Sequence, residues 1–189
     1  MIVIAVFFLQ SITSNIYASA DNQIARLNEW LNGCSVEEEV RELIGRGANV
    51  NSVINGRAPL HLAAWFGLLA IVQELIVQGA DVNIRDYLKE TPLHWAARKG
   101  NVTIAQELIG RGADVNATEM TYDITPLHCA ASEGYFEMVR YLLESGANTE
   151  KKVKDDTPAD SAQQNGYDDI AKYIHDWKDF PEIKGAIEE

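Results

Sequence analysis

The chain has 189 residues, 47% of them apolar, which fits one globular or solenoid domain. Its 28 acidic and 16 basic residues give a formal charge of −12. A surface that acidic repels phosphate backbones and anionic lipid, so nucleic acid is excluded from the expected partners.

In chain order, Ile2–Leu9 is an apolar run with the length of a signal-peptide core, too short to span a bilayer. Ala18-Ser19-Ala20 then fits a small-x-small cleavage site, so residues 1–20 read as a signal peptide cleaved after Ala20. The segment lacks the usual Lys or Arg near its start; the alternative is a disordered or buried N-terminal segment that is retained. Cleavage would leave a chain with no stable membrane insertion.

Residues 21–54 predict two helices. Ile24, Leu27 and Leu31 share one face before Gly33, and Val36, Val40, Leu43 and Ile44 share another before Gly47. From there the sequence repeats itself. Pro59, Pro92, Pro126 and Pro158 lie 33, 34 and 32 residues apart, and each is followed eight residues later by Gly67, Gly100, Gly134 or Gly166. Gly79, Gly112 and Gly146 follow the first three prolines after twenty residues. Offsets held over three copies are internal repetition, here of helix pairs. Thr91-Pro92 and Thr125-Pro126 are helix starts, with the Thr hydroxyl capping free N–H groups and Pro at the first helical position. Ala58 replaces the Thr in the first unit. Ala63, Ala64, Ala96, Ala97, Ala130 and Ala131 leave room for close helix approach. The last unit opens Thr157-Pro158-Ala159-Asp160, with Ala-Asp in place of Leu-His, and Phe180–Glu189 reads as an acidic tail.

These residues resemble ankyrin repeats. The Thr-Pro-Leu-His-x-Ala-Ala opening, the mid-repeat glycine and the Gly-Ala-Asp-Val-Asn close are met almost throughout by 55–84 and 88–117, and with mild departures by 122–151. Residues 21–54 and 154–180 resemble degenerate capping repeats, and 181–189 is the tail. The resemblance implies an all-α ankyrin-repeat solenoid of stacked antiparallel helix pairs with projecting hairpin loops. It also implies a concave surface, formed by the hairpins and first helices, that binds other proteins.

Catalytic chemistry finds little support. His61, His94 and His128 recur once per unit, too far apart to share one metal ion, and their regularity points to a structural hydrogen bond in each unit. Cys129 and Ser161 lack a paired base. Cys34 and Cys129 sit about three units apart, beyond disulfide reach, and read as free thiols. No enzyme, metal or cofactor is expected.

What distinguishes one such protein from another lies at the positions that vary between units. Mapped onto the family pattern, these are Ile54, Asn55, Arg57, Trp65 and Phe66 in the first, and Tyr87, Leu88, Glu90, Arg98 and Lys99 in the second. The third supplies Tyr122, Ile124, Ser132 and Glu133, and the cap adds Asp156, Gln164 and Asn165. Trp, Tyr and Arg are the types that dominate interface energetics. Trp65 and Phe66 either anchor a partner or pack against neighbouring hairpins, whereas Trp95 occupies a core slot. The 117–124 connection is one residue longer than its predecessor, which either projects Tyr122 or is a neutral insertion. The expected function is a non-enzymatic, monomeric, exported binding module for another protein. The alternatives are a structural or self-assembling component, or an accessory protein of a periplasmic enzyme.

Overall fold

Each repeated proline starts a helix. The computed structural model describes residues 49–53 and 56–179. There, helices α1 (Pro59–Phe66), α3 (Pro92–Lys99), α5 (Pro126–Ser132) and α7 (Pro158–Gln164) alternate with α2 (Leu69–Val77), α4 (Val102–Gly110), α6 (Phe136–Glu144) and α8 (Asp168–Asp179). The described residues contain no named strand; strand-like pairing is confined to isolated bridges such as Val153–Asp156. The expected signal peptide, most of the N-terminal cap, Ile54, Asn55, Cys34 and the tail lie outside the described residues.

The histidine of each opening closes its own helix start. The backbone N–H of Ala58, Thr91 and Thr125 donates to Nδ1 of His61, His94 and His128 at 3.2, 3.1 and 3.3 Å. This is the return half of a capping box, with imidazole in the place usually held by Glu or Gln. Because Nδ1 accepts, the ring proton sits on Nε2, which points into the following unit. Nε2 of His61 lies 3.0 Å from the Glu90 carbonyl, and that of His94 lies 3.0 Å from the Ile124 carbonyl. Nε2 of His128 faces the Lys151 and Asp156 carbonyls but closes no hydrogen bond. Burial pushes all three imidazoles below their ordinary range, His94 to about 4.

The threonine hydroxyls, expected to cap backbone N–H groups, do so at Thr125 and Thr157, at 3.4 and 3.3 Å. At Thr91 the hydroxyl contacts the imidazole instead, 2.9 Å from Nδ1. The histidine task explains the Ala-Asp change in the last unit. Asp160 accepts from the Thr157 hydroxyl at 2.6 Å and from its N–H at 2.8 Å, and these bonds hold its carboxyl below the usual range. It caps its own helix but cannot reach onward as a ring does.

The first helices pack side by side through fully buried alanines: Ala63 and Ala64 in α1, Ala96 and Ala97 in α3, Ala130 and Ala131 in α5. A methyl side chain lets neighbouring backbones approach where Leu would hold them apart. The longer second helices form an outer row whose inward faces (Ile71, Val72 and Leu75; Ile104 and Leu108; Met138, Val139 and Leu142) are buried. One hydrophobic core therefore runs the length of the stack.

Asparagines tie successive units along the hairpin edge. Asn51 Nδ2 donates to the Gly79 carbonyl at 3.0 Å while its Oδ1 accepts the Asp81 N–H at 2.8 Å. Asn83 repeats this with Gly112 and Asp114, and Asn116 with Gly146 and Asn148. A similar device joins the mid-repeat turns. Gly134, at φ 79°, is covered by the Tyr167 ring of the next unit, and an added Cβ would meet that ring at 2.4 Å. Glycine is required there both for its left-handed backbone and for the contact.

Candidate functional site

Hairpin tips and first helices present one continuous face, and the tips are built by buried carboxylates. Asp86 is 6% exposed; its Oδ1 accepts the Leu88 and Glu90 N–H groups, each at 2.8 Å, and its Oδ2 accepts the Trp95 indole N–H at 3.2 Å. Burial raises its carboxyl above the ordinary range despite these bonds. Glu119 does the same in the next hairpin. Burial alone would push it up, but N–H groups of Thr121, Tyr122 and Ile124 outweigh that and hold it low. The tips are joined by backbone bonds, Tyr87 N–H to the Gly56 carbonyl at 2.9 Å and Met120 N–H to the Leu88 carbonyl at 2.8 Å.

These frames leave large side chains in solvent. Tyr87 is 56% exposed, Met120 57% and Tyr122 46%. The longer hairpin does not expose its tyrosine more than the shorter one does, because Lys154 lies 4.0 Å over the Tyr122 ring. Met120 was not among the sequence-derived candidates. It stands eight residues after Gly112, as Tyr87 stands eight after Gly79; counting back from Pro126 across the extra residue hides that equivalence.

Beneath the first two tips lies an aromatic pair. The rings of Trp65 and Trp95 meet edge to face at 5.4 Å, and His61 meets Trp95 in the same manner at 5.6 Å. The Arg57 guanidinium sits 5.1 Å from the Trp95 ring centre and the Lys99 ammonium 4.0 Å from that of Trp65. Trp95 is 7% exposed and belongs to the core, as expected, with its indole N–H engaged by Asp86. Trp65 and Phe66 are half-buried against that core. They are neither free anchors nor wholly packed away.

Glu90 departs from the expectation that it contacts a partner. It is 4% exposed and forms a bidentate ion pair with Arg98, through Oε2 to Nη1 at 3.1 Å and through Oε1 to Nη2. Its backbone carbonyl already accepts from His61, which turns the residue inward. Arg98 is half-buried by the same pair, and its Nη2 lies 3.7 Å from Cys129 Sγ. Ile124 and Arg98 line a shallow cleft with Cys129, Ser132 and Ser161. Leu88 is half-buried, Lys99 and Glu133 are exposed, and Glu133 caps the end of α5 away from the tryptophans. Among the cap residues, Gln164 and Asn165 are exposed and Asp156 half-buried.

Among the described residues no group of three His, Cys, Asp or Glu side chains could hold a metal ion. Cys129 is free and buried, which pushes its thiol up to about 12 and makes it a poor nucleophile. No described helix is long and apolar enough to cross a membrane.

A family model described as ankyrin repeats in three copies matches residues 31–119 and 93–182. The chain is 30% identical over 140 residues to cyclin-dependent kinase 4 inhibitor B of Rattus norvegicus, covering 73% of this chain and 82% of that protein. It is 31% identical over 111 residues to alpha-latrocrustotoxin-Lt1a of Latrodectus tredecimguttatus, a match that spans 58% of this chain but 5% of the toxin. That family model covers most of the chain, and the described helix pairs recur within its matched residues, so the chain belongs to the ankyrin-repeat family.

Proposed function

We propose that this chain is a non-enzymatic module that binds another protein across its hairpin tips and first helices. The observation that carries this reading is the row of exposed Tyr87, Met120 and Tyr122 on tips held rigid by buried carboxylates. Burying such rings, already ordered in the free protein, costs little conformational entropy. Of the residues expected to bind, Tyr87, Lys99 and Tyr122 offer the most surface, while Trp65, Phe66, Leu88 and Ile124 floor it. The relative named for inhibiting cyclin-dependent kinase 4 acts on a protein target, which favours this class of partner without naming a kinase here.

The N-terminal pattern, Ile2–Leu9 followed by Ala18-Ser19-Ala20, supports an exported module. N-terminal sequencing of protein recovered outside the cytoplasm should begin at Asp21; material that starts at Met1 and stays inside refutes export. Binding is tested by affinity capture from the native compartment, comparing the wild-type chain with Tyr87→Ala/Tyr122→Ala. The exposed rings can be removed without opening the core, so helicity should persist while the specific partner is lost. Equal recovery of that partner by the variant refutes the surface. Light scattering should show a monomer, against a self-assembling component.

A further inference from the structure

The chain is strongly acidic, yet the face of its first two units is not. Among the described residues of these units, the acids beside that face are Asp86 and Glu90, both buried and engaged: Asp86 by two N–H groups and an indole, Glu90 by Arg98. Arg57, Lys89 and Lys99 form no ion pair among the described residues. Elsewhere Arg111 pairs with Glu107, Arg140 with Glu137 and Glu144, and Lys151 with Asp123, while Lys152, Lys154 and Lys172 of the later units join none of these pairs. What sets Arg57 and Lys99 apart is that each unpaired charge lies against an indole ring of this face.

Geometry gives that charge a shape. Arg57 lies against Trp95, Trp95 against Trp65, and Trp65 under Lys99, so the row crosses the face from the hairpin to the far end of the first helices. Tyr87 extends it at the hairpin end, packed over Gly56 next to Arg57. Stacking on the indoles orders both cations in the free protein. The Arg57 Nε has no hydrogen-bond partner.

We propose that the row Tyr87–Arg57–Trp65–Lys99, with the buried Trp95 beneath it, docks an acidic, extended segment of the partner protein with apolar side chains between its carboxylates. The proposal rests on the protein-binding reading above and adds the partner's chemistry. Two separated cations with rings between them match carboxylates separated by apolar side chains. A long uniform polyanion would instead meet the repulsion of the remaining chain, whose net charge is −12.

The test uses the full chain and two short synthetic peptides, one alternating glutamate with leucine and one alternating glutamine with leucine, followed through the tryptophan indole NMR signals. The glutamate peptide should bind at least about tenfold more tightly, shift the Trp65 indole signal, and weaken several-fold as salt shortens the screening length to about 3 Å near 1 M. Lys99→Glu should abolish that preference, and Arg57→Gln should reduce it. Lys172→Glu changes net charge equally at an exposed position of α8 and should leave the preference in place. Circular dichroism of each variant excludes unfolding as the cause. Equal affinity for both peptides, absence of any shift at millimolar peptide, or equal losses from Lys99→Glu and Lys172→Glu each overturns the proposal. Tighter binding of a single-stranded oligonucleotide would do so too, in favour of a nucleic-acid surface. If the peptides show no preference while Tyr87→Ala/Tyr122→Ala still loses its captured partner, the acidic chemistry is wrong and the protein-binding reading stands.

Discussion

Mild acid should destabilise this fold through His94, and the loss can be worked from its environment. The ring accepts the Thr91 N–H on Nδ1 and places Nε2 against the Ile124 carbonyl, so a second proton on Nδ1 would face a donor. Burial lowers its pKa from an unfolded value of 6.5 to about 4; Glu90 opposes that lowering while Arg98 and Arg85 assist it. The unfolded chain therefore takes up this proton below about pH 6.5 and the folded chain does not. Stability is full above pH 6.5 and falls as pH drops towards 4. At about 1.36 kcal/mol per pH unit the full effect is about 3 kcal/mol, of which about 2 kcal/mol is lost by pH 5. His61 and His128, also lowered, act in the same direction.

Urea unfolding at pH 7.5, 6.5, 5.75 and 5.0 measures the slope while most carboxylates are still ionised. His94→Gln is the informative variant. Glutamine at this position can still complete the capping box but has no proton to gain. The variant should be less stable than wild type at pH 7.5, and its stability should fall less steeply between pH 6.5 and 5 by about 1 kcal/mol per pH unit. A variant with the wild-type slope would refute the claim that this imidazole is held neutral.

Three other outcomes follow from buried contacts. Glu90→Ala should cost about 2 kcal/mol in urea unfolding, between surface and fully buried ion pairs, because Arg98 keeps some solvent contact. Gly134→Ala should cost about 2 kcal/mol, since it combines a left-handed backbone with a methyl driven into the Tyr167 ring; a melting temperature equal to wild type would contradict this. Cys129, with its thiol pushed up to about 12, should resist a water-soluble disulfide reagent at pH 8 until urea is added.

Much of the scaffold was legible in the sequence because its causes are local. A proline that starts a helix and a glycine that ends one act within a turn of themselves, so the offsets from Pro59 to Pro158 mark the helices directly. The structural role of the histidines could be read from their recurrence. Their partners could not, because a ring reaching 29 or 30 residues forward leaves no mark in spacing. The surface was only partly legible. Tyr87, Tyr122 and Lys99 are exposed as expected, but Glu90 is not. A hairpin glutamate can face solvent or fold back on a neighbouring helix, and the position of Arg98 decides which. Met120 was hidden by a one-residue change in hairpin length, and the cation row depended on knowing which carboxylates are already occupied.

The His128 ring has a mechanical consequence. The two preceding junctions among the described residues are closed by an imidazole bonded to the next backbone, whereas Nε2 of His128 faces the Lys151 and Asp156 carbonyls without closing a hydrogen bond. The tight turn from Val153 to Asp156 pairs its own N–H and carbonyl groups across itself, at 2.8 and 2.9 Å. The last unit is held by its buried Ala159, Ala162, Ile170, Ile174 and Trp177, by Tyr167 over Gly134 and by Phe136 against Tyr173 at 4.9 Å, without the imidazole bond of the earlier junctions. In a linear stack with only nearest-neighbour contacts, the weakest junction sets where the chain opens first. Residues 157–179 should therefore exchange their amide protons as one early-opening block, while α3 to α5 stay closed. A partner that grips the first two units would leave that end free to breathe.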